Sequence, residues 1–135
     1  TKQEHWRNTM TKVFVFGSNE AGMHGAGAAK TAMEKYEMPY GKSYGHYGNA
    51  FGIPTKNERI QTLDLNVIHL YVNGFIAFAM GRPKLTFKVT RIGCGLAGYN
   101  NMDIAPMFRG APKNCQFDEA WRAWLGDTYT YWGTM

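Results

Sequence analysis

The chain reads as an α/β domain with a mainly parallel central sheet flanked by helices. Apolar runs of strand character alternate with helical stripes, an order that favours parallel strands joined by crossover helices. Two of those runs, Val13–Phe16 and Phe87–Ile92, each lead into a glycine-rich turn. Ligands of parallel sheets bind at the carboxyl ends of the strands, where both turns fall.

Residues 1–11 are polar around Trp6 and are expected to form an arm that packs through that ring. Lys12–Phe16 is a continuous apolar strand, buried and central. After the first glycine turn, Ala28, Ala29, Ala32, Met33 and Tyr36 recur at helical spacing, with Pro39 marking the helix end. That helix starts beside Gly25–Gly27 and aims its positive end into the turn. Residues 40–52, rich in Gly and Tyr, are expected as loop or irregular strand. Ala50–Ile53 is a short strand stopped by Pro54. A long helix follows, with Leu65, Ile68, Val72, Phe75 and Ala79 on one face and Pro83 beyond its end. Gly74 inside it costs about 1 kcal/mol relative to Ala. Leu85–Ile92 is the next strand, alternating Leu85, Phe87 and Val89 against Thr86, Lys88 and Thr90. Asp103–Phe108 is expected as a short helix, and Phe117, Trp121, Trp124 and Leu125 as a closing helical stripe. Tyr129 to Trp132 alternates aromatic and polar residues, which predicts a final strand or a packed extension.

Composition bounds the function. A chain of 135 residues with 44% hydrophobic and 15% aromatic content is long and apolar enough for one folded domain, taken as residues 12–135. Net charge is +5, from 15 Lys and Arg against 10 Asp and Glu spread without a basic run. That field welcomes phosphates, while a plain nucleic-acid-binding domain would need a contiguous basic face. No apolar stretch approaches the ~18 residues of a membrane span, and no signal-peptide pattern is present, so a cytoplasmic monomer without membrane contact is expected. Exposed aromatics near 129–132 are the one feature expected to pair chains. Cys94 and Cys115 lack metal-ligand spacing and suit free thiols in a reducing cytosol. His5, His24, His46 and His69 show no close pairing, so neither metal nor cofactor is expected. His24 and His46 flank the turns as general acids or phosphate contacts, or simply as packed or surface histidines.

Glycines at strand ends let backbone N–H groups approach an anion closely. Two such turns in one small domain suit a ligand with two linked phosphates. Gly93-Cys94-Gly95-Leu96-Ala97-Gly98 satisfies the dinucleotide fingerprint G-x-G-x-x-G. That fingerprint requires an acidic residue ending the next strand about 20 residues on. Here only 37 residues follow Gly98 and Asp118 sits before the Trp-rich helical stripe, so a dehydrogenase is not the expectation. No G-x-x-x-x-G-K-[ST] segment exists for a P-loop.

Three segments in order resemble the macrodomain family, closest to its terminal ADP-ribose protein glycohydrolase branch. They are Gly25-Ala26-Gly27-Ala28-Ala29, Ile53-Pro54-Thr55-Lys56 and Arg91-Ile92-Gly93-Cys94-Gly95-Leu96, and the likeness spans about residues 12–110. The resemblance implies a three-layer α/β/α fold with ADP-ribose in a cleft at the strand ends. It further implies ligand contacts at Gly17, Ser18, Asn19, Gly25, Ala26, Gly27, Thr55, Gly93, Cys94, Gly95, Leu96 and Ala97. Asn19 would approach the distal ribose, and Lys56 would attack its anomeric carbon, giving a lysyl adduct. Cys94 is a loop element in this match, not a nucleophile.

The departures are specific. The branch carries an aspartate after G-C-G-L that resolves the adduct; this chain has Ala97, leaving Glu20, Asp103 or Glu58 to substitute. The upstream aspartate that holds adenine has no counterpart in residues 1–11, which leaves Tyr44, Tyr47 or a C-terminal aromatic to stack the base. Two functions therefore stand. One is recognition of ADP-ribose or a derivative with hydrolysis of an ADP-ribosyl bond, Asn19 and Lys56 being catalytic. The other is a non-catalytic binder that sequesters such a nucleotide or reads an ADP-ribosylated protein or nucleic acid.

Overall fold

The computed structural model describes residues 12–135, and among them six strands form one sheet. The expected N-terminal arm with Trp6 lies outside the described residues. Strands β1 (Lys12–Asn19), β2 (Gly45–Tyr47), β3 (Ala50–Lys56), β4 (Thr86–Val89), β5 (Cys115–Asp118) and β6 (Tyr131–Gly133) lie in the order β2-β3-β1-β4-β5-β6. The β2–β3 pair is antiparallel and the other neighbours are parallel. The helices are α1 (Gly27–Lys35), α2 (Leu65–Met80), α3 (Asn101–Ile104) and α4 (Arg122–Leu125). Among the described residues no helix is long and apolar enough to cross a membrane.

The period-2 geometry of β1 sends its side chains to two cores. Val13 and Val15 join Phe51, Ile53, Phe87 and Val89 beneath Ile68, Val72, Phe75 and Ala79 of α2. Phe14 and Phe16 join Ala50 beneath Ala29 and Ala32 of α1. The two longer helices thus cover opposite faces. Phe75 anchors the larger core, with ring centroids 5.1 Å from Phe51 and 5.4 Å from Phe87. A fully buried phenylalanine in this role contributes about 3–5 kcal/mol.

Several boundaries differ from expectation. β1 does not stop at Phe16 but runs through Gly17 and Ser18 to Asn19, because β3 pairs along that whole length, with a register shift at Ser18/Asn19. β3 passes through Pro54 to Lys56. Its pairing with β2 ends at Gly52, so the proline's missing amide falls where that flank of the strand has no β2 neighbour. β4 is shorter than Leu85–Ile92, since Arg91 onward turns into the second glycine loop. The short helix begins at Asn101, where the Asn100 N–H donates to Asp103 Oδ2 at 3.0 Å, and continues as a 3-10 turn over Ala105–Phe108. The closing helical stripe is corrected most. Phe117 lies on β5, Trp121 on the 3-10 turn Glu119–Trp121, and only Trp124 and Leu125 on α4. Buried aromatics spaced four apart imitate a helix when a strand and a turn bury them in succession. Of the two possibilities for the tail, the strand is observed as β6, with Tyr129 edge-on to Phe117 and Trp132 Nε1 donating to Val89 O at 2.8 Å.

Candidate functional site

The carboxyl ends of β1, β3 and β4 open into one cavity of about 550 Å³. Its wall includes Lys56 and every residue that the resemblance assigns to ligand contact: Gly17, Ser18, Asn19, Gly25, Ala26, Gly27, Thr55, and Gly93 through Ala97. Parallel pairing explains the convergence, since the strands point the same way and end together.

On one side the cavity meets the start of α1. Its N-cap, Ala26, supplies no side-chain acceptor, and the first turn carries no acidic residue. Among the described residues, the early amides of the helix therefore have no side-chain cap beside the positive end of the dipole. On the other side lies the loop after β4. The amides of Gly93, Gly95, Leu96 and Ala97 have no hydrogen-bond partner among the described residues. Gly93 adopts φ +74°, and a Cβ there would press on Ile104 Cδ1 at 3.1 Å. Thr90 Oγ1 donates to Val15 O at 2.7 Å and holds the root of this loop against β1.

The loop before α1 is clasped rather than free. Asn19 Nδ2 donates to Met23 O at 2.6 Å, and Asn19 Oδ1 accepts from Met23 N at 3.0 Å. One Nδ2 hydrogen and one Oδ1 lone pair of Asn19 thus hold the loop, while the residue itself lines the cavity. Gly22 sits so close to the Gly41 backbone that a Cβ there would collide with it. Ser18 Oγ donates to Ser43 O at 2.5 Å. His24 is 1% exposed, and its Nε2 donates to Lys42 O at 2.9 Å. Edge-on packing against Phe16 completes its surroundings, so His24 is a packed histidine outside the cavity wall. His46 lies on β2 beside Phe78, also outside the wall.

The charged side chains in the wall are cationic: Lys56 and Arg91 line it, and no Asp or Glu side chain does among the described residues. Each expected substitute for the missing aspartate is elsewhere. Glu20 accepts from the Tyr71 hydroxyl at 2.6 Å, Asp103 caps α3, and Glu58 is exposed in the turn after β3. Cys94 lines the wall, but burial, ahead of nearby charges, pushes its thiol up to about 11. A neutral thiol is a poor nucleophile, in keeping with a loop element.

Aromatic stacking is not provided from the residues expected. The Tyr44 hydroxyl donates to Tyr71 O at 3.0 Å on the α2 side of the sheet, and Tyr47 packs against the smaller core. Neither these nor Tyr129, Tyr131 or Trp132 lines the cavity.

Asp118 corrects the argument against a dinucleotide site. It ends β5, a strand parallel to β4, and so stands where the fingerprint asks for an acidic residue. Yet it is 0% exposed and absent from the wall. Its Oδ1 accepts from Ala120 N at 2.8 Å and its Oδ2 from Met135 N at 3.1 Å. Arg91 Nε lies 3.5 Å from Oδ2, an ion pair without hydrogen-bond geometry, while Arg91 Nη2 donates to Met135 O at 3.0 Å. The carboxylate is thus committed to internal partners rather than to a ribose.

Arg91, Met23, Ile60 and Met135 were not foreseen as wall residues. Arg91 belongs to a segment that carries the family resemblance, so a signal for it existed. For Ile60 the only signal was the polar turn opened by Asn57. Asn57 Oδ1 accepts from Arg59 N at 2.9 Å and Gln61 N at 3.0 Å, and Asn57 N donates to Gln61 O at 2.7 Å. The turn holds Ile60 at φ +62°. For a β-branched residue that conformation costs roughly 1–3 kcal/mol. Thr62 Oγ1 donates to Ala97 O at 3.0 Å and joins this turn to the second glycine loop. Compared with protein-family models, curated proteins and solved structures, the chain matches none.

Proposed function

We propose that this cleft recognises ADP-ribose or a close derivative in the manner of a macrodomain, as a cytoplasmic monomer that binds without turnover. One observation carries the reading. Backbone amides without a hydrogen-bond partner among the described residues, at the start of α1 and at Gly93, Gly95, Leu96 and Ala97, belong to residues lining one cavity whose charged side chains among the described residues are Lys56 and Arg91. Such a wall favours a ligand bearing linked phosphates and resists a cationic one. The free thiols Cys94 and Cys115 fit a reducing compartment.

Hydrolysis is the second reading, and Lys56 in the wall is the observation that favours it. Attack by a neutral lysine amine on the anomeric carbon would form a C–N bond and expel the modified partner's oxygen or nitrogen. Expulsion needs a proton donor and release needs activated water. The described wall offers no Asp or Glu side chain for either task, which favours the binder.

Titration calorimetry with ADP-ribose, AMP, ribose 5-phosphate and NAD tests both readings. ADP-ribose should bind at least about tenfold more tightly than AMP or ribose 5-phosphate. Lys56→Ala should weaken it by several-fold, and neither protein should release ADP-ribose from ADP-ribosylated protein or nucleic acid. No heat up to millimolar ADP-ribose overturns recognition. Release that vanishes in Lys56→Ala overturns the binder in favour of the hydrolase. Preference for NAD over ADP-ribose would instead revive the dinucleotide fingerprint.

A further inference from the structure

Two non-glycine residues have positive φ among the described residues, and they differ in kind. Glu37 follows the Tyr36 cap of α1, where a left-handed residue is ordinary. Ile60 is β-branched, 42% exposed and part of neither core cluster, so packing within the protein does not repay its conformation. Asparagine or glycine would hold the same turn without strain. The turn itself is over-determined by Asn57, by the Lys56–Thr62 bridge and by the Thr62 tie to Ala97. It leaves the sheet at Lys56 and presents an isoleucine in the cavity wall.

From this placement we infer that Ile60 is a specificity-determining residue that packs its apolar side chain on the carbon face of a ring of the bound nucleotide. The inference rests on the nucleotide reading above and assigns the ring-gripping contact to this chain's own residue. The described wall holds no aromatic side chain, so a ring face in the cleft must find aliphatic partners. Ile60 and Leu96, the latter 73% exposed in the 93–97 loop, are the aliphatic side chains that the tied turn and loop contribute. A ring covering Ile60 would remove apolar surface that is now in water. Base and ribose both offer such a face.

The test compares Ile60→Asn and Ile60→Val with the wild type, by thermal melting and by calorimetry with ADP-ribose, AMP and ribose 5-phosphate. Ile60→Asn should melt at or above the wild-type temperature while binding ADP-ribose about tenfold more weakly. Ile60→Val keeps the apolar contact and should stay within about threefold of wild type. Loss against AMP with ribose 5-phosphate unchanged identifies the base as the ring held, and loss against both identifies the sugar. Unchanged affinity in Ile60→Asn, or a melting temperature below wild type, overturns the inference by returning Ile60 to an idle or a packing role. A wild type that binds none of the three ligands overturns the nucleotide reading itself and this inference with it.

Discussion

Cys94 shows how surroundings determine chemistry in this cleft. A thiol in a glycine-rich loop facing a ligand cavity has the appearance of a nucleophile, yet burial pushes it up to about 11. Two units above an ordinary thiol, its thiolate fraction at pH 8 is about a hundredfold lower. Alkylation by iodoacetamide should therefore be about a hundredfold slower than for a free cysteine at pH 8, rising as pH climbs toward 11. Cys115 is fully buried and should stay silent in the folded protein. Mass spectrometry of the labelled chain checks both, and rapid labelling of Cys94 at pH 7 would contradict the assignment. Asn19 teaches a related lesson. Its position suits a ligand contact, but both ends of its amide hold Met23.

The same reasoning applies to helix α2, where Gly74 looks like a weakness. The structure supplies its reason. A Cβ at Gly74 would run into the Tyr44 hydroxyl, which donates to Tyr71 O one turn earlier on the helix. Gly74→Ala should destabilise by about 1–3 kcal/mol despite the better helix propensity, because overpacking outweighs the gain of about 1 kcal/mol. Tyr44→Phe removes the colliding atom, so the double variant should recover much of that loss, a coupling that urea denaturation of the four proteins measures. Additive losses would contradict the contact. Strand β3 shows the converse: Pro54 looked like a stop, yet the strand passes through it because its pairing with β2 has already ended.

Across the molecule, the resolved tyrosine and cysteine shifts run upward. Tyr71 rises to about 12, first through its hydrogen bond to Glu20, and Cys115 to about 12 through burial. Tyr44 and Tyr129 are raised mainly by burial as well. In each case folding favours the neutral form. The associated stability is complete below the ordinary values, about 9 for the thiols and 10 for the phenols, and is lost as pH rises through the folded-state values. Urea midpoints should hold level from pH 7 to about 8.5 and then fall steadily toward pH 12. A midpoint that stays level through pH 11 would contradict the buried neutral groups.

Much of this architecture is legible along the chain. Alternating strand and helix patterns announce an α/β protein, and the glycine turns mark the two loops that meet at its cleft. Every wall residue named from sequence lies in that cleft because parallel strands bring their carboxyl ends together, a rule that needs no coordinates. Local pattern suffices there because period and turn chemistry are properties of neighbouring residues. It fails where a partner is distant in sequence. Nothing in the segment around Phe117 distinguishes a strand from a helix until Cys115 and Gln116 meet β4. Asp118 gains its commitments from Met135 and Arg91, and Ile60 its left-handed turn from a hydrogen-bonded frame tied to Ala97. Hydrogen-bond partners and burial are settled by packing, so the character of the wall, with cationic side chains and no described Asp or Glu, emerges once the chain has folded.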